Sequence, residues 1–86
     1  MPIPINIFRE HVFQAMLKTK REGIPKRHNL RKWGLQYENE IYPCKLLISW
    51  GNFYANGEEL DYNPNNFQAQ MANKYLANLG FEIIEL

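Results

Sequence analysis

Residues 31–50 read RKWGLQYENEIYPCKLLISW, and they open with an alternating pattern. Polar Lys32 and Gln36 alternate with large apolar side chains, which is typical of a half-buried strand. We therefore predict a strand over Arg31–Tyr37. The side chains predicted on its buried side are Trp33, Leu35 and Tyr37.

A tight turn is predicted directly after this strand. Glu38-Asn39-Glu40 suits it because asparagine tolerates a positive φ. Ile41 and Tyr42 then begin the return strand, which Pro43 cuts short because proline has no N–H for the sheet. The sequence therefore predicts a small β-hairpin.

A helix is predicted from Pro43 to about Asn56. Proline is favoured at the first position of a helix, and Gly57 is a typical C-terminal stop. The apolar side chains that this helix presents are Leu46, Leu47, Trp50, Phe53 and Tyr54.

The start of this helix places Lys45 in an unfavourable position. The first turn has unpaired amides and the positive end of the macrodipole, and Tyr42 cannot cap it as Ser or Asp would. Two explanations stay open. An external anion such as a DNA phosphate binds the amides and the ammonium, or water satisfies the amides while Lys45 pairs with Glu38 or Glu40.

Two more helices and a last strand are predicted from the spacing of apolar residues. The first helix covers about residues 7–21, with Asn6 as its N-cap and Gly23 after its end. The third covers about residues 66–78, and residues 81–86 (FEIIEL) form the final strand. The inner side of the third helix is predicted to carry Phe67, Met71, Ala72, Tyr75, Leu76 and Leu79.

The predicted order is α-β-β-α-α-β. Residues 1–6 are an extended lead-in, and residues 7–86 complete a single domain. A sheet of two or three strands is marginal alone, so helices must cover one of its faces. The sequence therefore predicts an α+β fold with helices packed on a small antiparallel sheet.

Composition restricts the class of protein. The 86 residues are 45% hydrophobic and 22% charged, which is typical of a small globular domain. The one cysteine cannot form an intramolecular disulfide, so a reducing, cytoplasmic location is expected. The N-terminus lacks the features of a secretory signal, and the longest strongly apolar run, Leu46–Ile48, is too short for a membrane span.

Charge is distributed unevenly along the chain. Residues 1–45 hold nine basic and four acidic residues, whereas residues 46–86 hold one basic and five acidic residues. A basic stripe, opposed only by Glu22, comprises Lys18, Lys20, Arg21, Lys26, Arg27, Arg31 and Lys32. Such a stripe attracts an anionic partner or is simply a solvated face, and the sequence leaves both open.

Catalysis is not expected. Cys44 would need an activating base such as His11 or His28 nearby, and a small, partly buried structural residue is the simpler interpretation. The chain has no CxxC or HxxxH pair and no glycine-rich phosphate loop. Neither a metal nor another cofactor is therefore expected.

Nucleic-acid binding is the function that the basic stripe favours. Phosphate contacts come from Lys, Arg and helix N-termini, and they dominate affinity. Trp33 offers a stacking surface beside the cations, although a tryptophan in so small a domain more often belongs to the core. The candidate DNA-binding residues are Arg21, Lys26, Arg27, His28, Arg31, Lys32, Trp33 and Lys45.

Three segments and Phe67 together resemble a known family. The segments are residues 37–45 (YENEIYPCK), 54–60 (YANGEEL) and 76–84 (LANLGFEII). The motifs Y-P-x-K, G-x-E-L and L-G-F-x-I in this order resemble the N-terminal head domain of McrA-like HNH restriction endonucleases, over about residues 8–84.

The chain departs from the family pattern in three places. Cys44 replaces a second proline, Asn39 replaces a turn glycine, and residues 67–70 (FQAQ) replace an F-S-G-G segment. Lys45 matches the motif lysine, so the resemblance makes it the first candidate for a contact with the DNA backbone.

The resemblance implies a non-catalytic, accessory DNA-binding module of a restriction or phage-defence system. Duplex DNA is the expected partner, and cleavage would be carried by a separate HNH nuclease domain or subunit. The alternative is a protein-interaction module, such as an adaptor or a small inhibitor of a nuclease. Its contact surface would comprise acidic residues 58–61 and aromatics such as Tyr54 or Tyr62.

Overall fold

The order of helices and strands agrees with the prediction. The computed structural model describes residues 3–25, 32–61 and 67–86. The elements of these ranges are α1 (Arg9–Glu22), β1 (Trp33–Tyr37), β2 (Glu40–Tyr42), α2 (Cys44–Asn56), α3 (Ala69–Asn78) and β3 (Glu82–Glu85). The order α-β-β-α-α-β and the antiparallel pairing of the strands confirm the α+β fold.

The sheet is built around β1. Its order is β2-β1-β3, and both pairings are antiparallel. Leu35 lies opposite Tyr42 on one side and Ile83 on the other, and these side chains face the core. Glu38 and Asn39 both adopt positive φ, 48° and 67°, so the predicted tight turn at Asn39 is confirmed.

Helix α2 lies at the centre of the domain. Every residue from Leu46 to Asn52 is buried, and α2 packs against α1, α3 and β1. Gly57 ends the helix in the left-handed conformation, as predicted, and its N–H donates to the carbonyl of Phe53 at 2.9 Å. Phe53, one of the apolar side chains that this helix presents, lies in its last turn and is 45% exposed.

Helix α1 begins two residues later than predicted. Phe8 is its N-cap, and the Phe8 N–H donates to Nδ1 of His11 at 2.9 Å. Asn6, predicted to cap the helix, instead exchanges two hydrogen bonds with Asn56, of 2.6 and 3.0 Å. The Asn6 side chain therefore bonds to a residue that is distant in the sequence and does not cap α1.

The segment before α1 is part of the core. Ile3 and Ile7 are buried, and both backbone groups of Ile7 bond to the Tyr75 hydroxyl, which accepts from the N–H at 3.1 Å and donates to the carbonyl at 2.8 Å. A Cβ at Gly51 would lie 3.2 Å from Cγ2 of Ile7. The missing side chain therefore lets this segment pass close over α2.

Helix α3 closes the core and leads into β3. Its inner residues match the prediction: Ala72 and Leu76 are buried, and Met71, Tyr75 and Leu79 pack against them. Phe67 is also buried but precedes the helix, which begins at Ala69.

Candidate nucleic-acid interface

The predicted DNA-binding residues divide into two groups. Lys26, Arg27, His28 and Arg31 lie outside the described residues, as does Tyr62 of the alternative surface. Four others are described, and they lie on α1, on β1 and the residue before it, and on α2. They are Arg21, Lys32, Trp33 and Lys45.

The last turn of α1 presents exposed cations. Lys20 and Arg21 are exposed there, near the negative end of the helix macrodipole, where cations are favoured. Lys18 is different: its Nζ lies 3.2 Å from Glu22 Oε2 and 5.0 Å from the centre of the Trp50 ring. Lys20 and Arg21 are therefore better placed than Lys18 to contact an external phosphate.

Lys32 lies just before β1, at the other end of the basic segment. The Leu86 N–H donates to its carbonyl at 2.7 Å, which ties its backbone to the end of β3. The Lys32 side chain is exposed. The sequence between the end of α1 and β1 is thus flanked by exposed cations on both sides.

Trp33 does not belong to the core. It is 38% exposed and lies outside the cluster of packed apolar residues, whereas Trp50 is 6% exposed and lies within it. Strand alternation places Trp33 on the same face as Leu35, but its predicted burial in the core is wrong, because at the first position of β1 it stays partly exposed.

Lys45 is held by the domain itself. Its Nζ lies 4.8 Å from the centre of the Phe67 ring, so the ammonium makes a cation–π contact. Burial lowers the pKa of Lys45, and the carboxylate of Asp61 opposes that shift. Of the two explanations for this lysine, the geometry favours an internal one, with Asp61 in the role that the sequence suggested for Glu38 or Glu40.

The start of α2 has no side-chain cap. Pro43 is the N-cap, and its carbonyl accepts from the Leu47 N–H at 3.2 Å. Cys44 follows it and is buried, which raises the pKa of its thiol to about 12. Such a thiol is almost fully protonated at neutral pH, which disfavours it as a nucleophile.

One cation that sequence reasoning missed is Arg9. Its Nη1 donates to the carbonyl of Leu79 at 2.7 Å, and its guanidinium carbon lies 4.5 Å from the centre of the Phe81 ring. Its partners lie some seventy residues away, so no local signal could reveal them. Arg9 borders an open depression of about 390 Å³, but Glu38 and Glu82 also line it, which makes the depression a poor phosphate site.

A polar network on α2 was also missed. Asn56 Nδ2 donates to Asn52 Oδ1 at 2.6 Å, and Asn52 Nδ2 donates to the carbonyl of Glu58 at 2.8 Å. Ser49 and Leu60 exchange two further bonds, of 2.7 and 3.1 Å. The network fixes the acidic segment after Gly57 against α2, and together with the Asn6 contact it joins three parts of the chain.

The described ranges give no sign of a metal centre or a membrane span. Within them, no three His, Cys, Asp or Glu side chains come together in a way that could hold a metal ion. None of the helices formed by these residues is both long and apolar enough to cross a bilayer.

Comparison of the chain with protein-family models, curated proteins and solved structures found no match. The resemblance to McrA-like head domains therefore stays a prediction based on the three sequence motifs.

Proposed function

We propose that the chain is a non-catalytic DNA-binding module that docks on the phosphate backbone. The observation that carries this proposal is the exposure of Lys20, Arg21 and Lys32 on the two sides of a segment rich in Lys and Arg. Phosphate neutralisation by such cations supplies most of the affinity in sequence-independent binding. The role of this module in a restriction or phage-defence system rests on the motif resemblance alone.

The candidate cations differ in their surroundings. Lys20, Arg21 and Lys32 are exposed, whereas Lys45 is engaged with Phe67 and is influenced by Asp61. The main docking surface in this proposal is therefore the end of α1 together with Lys32, just before β1. The start of α2 contributes less to DNA binding in this proposal.

A charge-neutralised variant tests the proposal. Lys20→Gln, Arg21→Gln and Lys32→Gln combined should weaken binding to duplexes of any sequence, by roughly 10- to 100-fold at moderate salt. Lys74→Gln is the matched control, because Lys74 is an exposed lysine on α3 and lies in the acidic half of the sequence. Equal effects of the two variants, measured by fluorescence anisotropy with a labelled duplex, would contradict the proposed surface.

A protein-interaction module is the second candidate, and exposed apolar side chains favour it. Ile5 is 86% exposed and Phe53 is 45% exposed. The Asn6–Asn56 contact brings their neighbourhoods to the same end of the domain, near the exposed Glu58. If no duplex or single strand binds at low salt, this candidate replaces DNA binding.

A further inference from the structure

The two tryptophans of the chain occupy opposite environments. Trp50 is 6% exposed and lies in the core, whereas Trp33 is 38% exposed. The exposed part of the Trp33 side chain is an apolar surface that the described core does not cover. Exposed aromatic rings beside cations are the usual platforms on which proteins stack nucleic-acid bases.

The backbone around Trp33 is held in place. Trp33 pairs with Glu85 across the β1–β3 ladder, and the next pair is Gly34 with Ile84. The Leu86 N–H also donates to the carbonyl of Lys32 at 2.7 Å. The backbone both before and after Trp33 is therefore paired with residues 84–86. Because the strand that carries the ring is already ordered, less conformational entropy is lost when a ligand binds.

A carboxylate lies beside Trp33 on the sheet, and Lys32 precedes Trp33 in the chain. Directly opposed residues of an antiparallel pair lie on the same face with their Cβ atoms about 5 Å apart, so Glu85 lies beside Trp33 on that face. Glu85 and Lys32 are both exposed. Carboxylates accept hydrogen bonds from the exocyclic amino groups of bases, and lysines contact phosphates.

We propose that Trp33 stacks on an unpaired base of DNA, and that Glu85 accepts a hydrogen bond from the amino group of that base. This inference rests on the proposed DNA-binding function and names its substrate class. The faces of a paired base are covered by its neighbours in the stack, so a ring can reach them only in single strands, at ends or in flipped nucleotides. Thymine has no exocyclic amino group, so cytosine is favoured over thymine.

Tryptophan fluorescence tests the stacking directly. The Trp50→Phe variant, checked for folding by circular dichroism, keeps Trp33 as its one tryptophan. Oligo-dC and oligo-dT of about 12 nucleotides, and a mixed-sequence duplex, are titrated against it. Oligo-dC should quench Trp33 strongly and bind more tightly than oligo-dT.

Two substitutions in the otherwise unchanged chain assign the roles. Trp33→Leu should weaken single-strand binding by about ten-fold and duplex binding by a clearly smaller factor. Glu85→Gln should reduce the preference for oligo-dC over oligo-dT. If oligo-dC and oligo-dT bind equally, the role of Glu85 is wrong.

The outcomes separate this inference from the proposed function. The stacking site is overturned if DNA binds without quenching Trp33 and if Trp33→Leu changes neither duplex nor single-strand binding. Phosphate docking would still stand in that case. If neither single strands nor duplex bind at low salt, both proposals fail. Should Trp33→Leu not fold, the quenching of the native Trp33 still decides the question.

Discussion

The Nζ atom of Lys45 lies 4.8 Å from the centre of the Phe67 ring. This contact joins the first turn of α2 to the residue that precedes α3 by two positions. Together with the influence of Asp61 on the pKa of Lys45, it explains how a lysine is accommodated at a helix start, where the macrodipole disfavours cations. The proposed phosphate contacts are therefore those of Lys20 and Arg21 on α1 and of Lys32, just before β1.

Replacement of Lys45 by Met tests this assignment. Methionine keeps an apolar stem over Phe67 and removes the charge, so the Lys45→Met variant should lose less duplex affinity than Arg21→Met. The free energy of unfolding should change by no more than about 1 kcal/mol, because the lost cation–π contact is offset by the removal of a partly desolvated ammonium. A larger loss of affinity for Lys45→Met than for Arg21→Met would instead place a phosphate at the start of α2.

Two isoleucines of the N-terminal segment should differ sharply in their contribution to stability. Ile7 is fully buried, so Ile7→Ala should lower the free energy of unfolding by about 2–5 kcal/mol. Ile5 is 86% exposed, so Ile5→Ala is the matched control and should change it by less than about 0.5 kcal/mol. Urea denaturation monitored by circular dichroism measures both. Equal effects would mean that this segment does not pack in solution as described.

The amide network should contribute measurably to stability. Asn56→Ala removes the bonds to both Asn6 and Asn52 and leaves their amides without these partners, so it should cost about 1–3 kcal/mol. Gln14→Ala, at an exposed position of α1, serves as the control. Hydrogen exchange of the Leu60 amide should also quicken, because the network helps to hold its segment against α2. A neutral Asn56→Ala would show that water replaces the network at no cost.

Stability should fall at alkaline pH because of Cys44. Burial raises its pKa from an ordinary value of 9.0 to about 12, so above pH 9 the unfolded chain has released a proton that the folded chain retains. The contribution of Cys44 to the free energy of unfolding is thus fully present below pH 9. Above pH 9 the free energy of unfolding falls by about 1.4 kcal/mol per pH unit, until the folded thiol also ionises. The pH dependence of urea unfolding should be less steep in Cys44→Ala. Identical slopes in the two proteins would contradict the burial of this thiol.

Cys44→Ser should leave DNA affinity unchanged, because the thiol is buried and is assigned no role in binding. A loss of binding in a variant that still folds would bring thiol chemistry back into consideration. The serine variant is compared with the unchanged chain by circular dichroism and by duplex anisotropy.

Local patterns were sufficient to predict the order of the elements. Gly57 marked the end of α2 correctly and Pro43 its start to within one residue, since Pro43 is the N-cap and not the first helical residue. Asn39 marked the hairpin turn because it tolerates a positive φ. Errors arose where a distant partner decided the outcome. Asn6 bonds to Asn56 rather than capping α1, and no spacing rule connects residues fifty positions apart.

The candidate site was less predictable than the fold. Lys20, Arg21 and Lys32 are exposed, as expected of charged side chains in a basic stripe. The burial of Trp33 was predicted wrongly, because alternation gives the face of a strand and not how far the helices cover that face. The residues near Lys45 could not be predicted from the sequence either. Asp61 and Phe67 approach it only after α2 and α3 pack, so sequence proximity suggested Glu38 and Glu40 instead.

The salt dependence of duplex binding tests the central proposal most directly. If Lys20, Arg21 and Lys32 each neutralise a phosphate, a plot of log affinity against log salt concentration should have a slope of about −3 or steeper. The slope should become clearly shallower in the variant that lacks all three charges. An affinity independent of salt, or a slope that the triple substitution leaves unchanged, would contradict docking on the phosphate backbone through this surface.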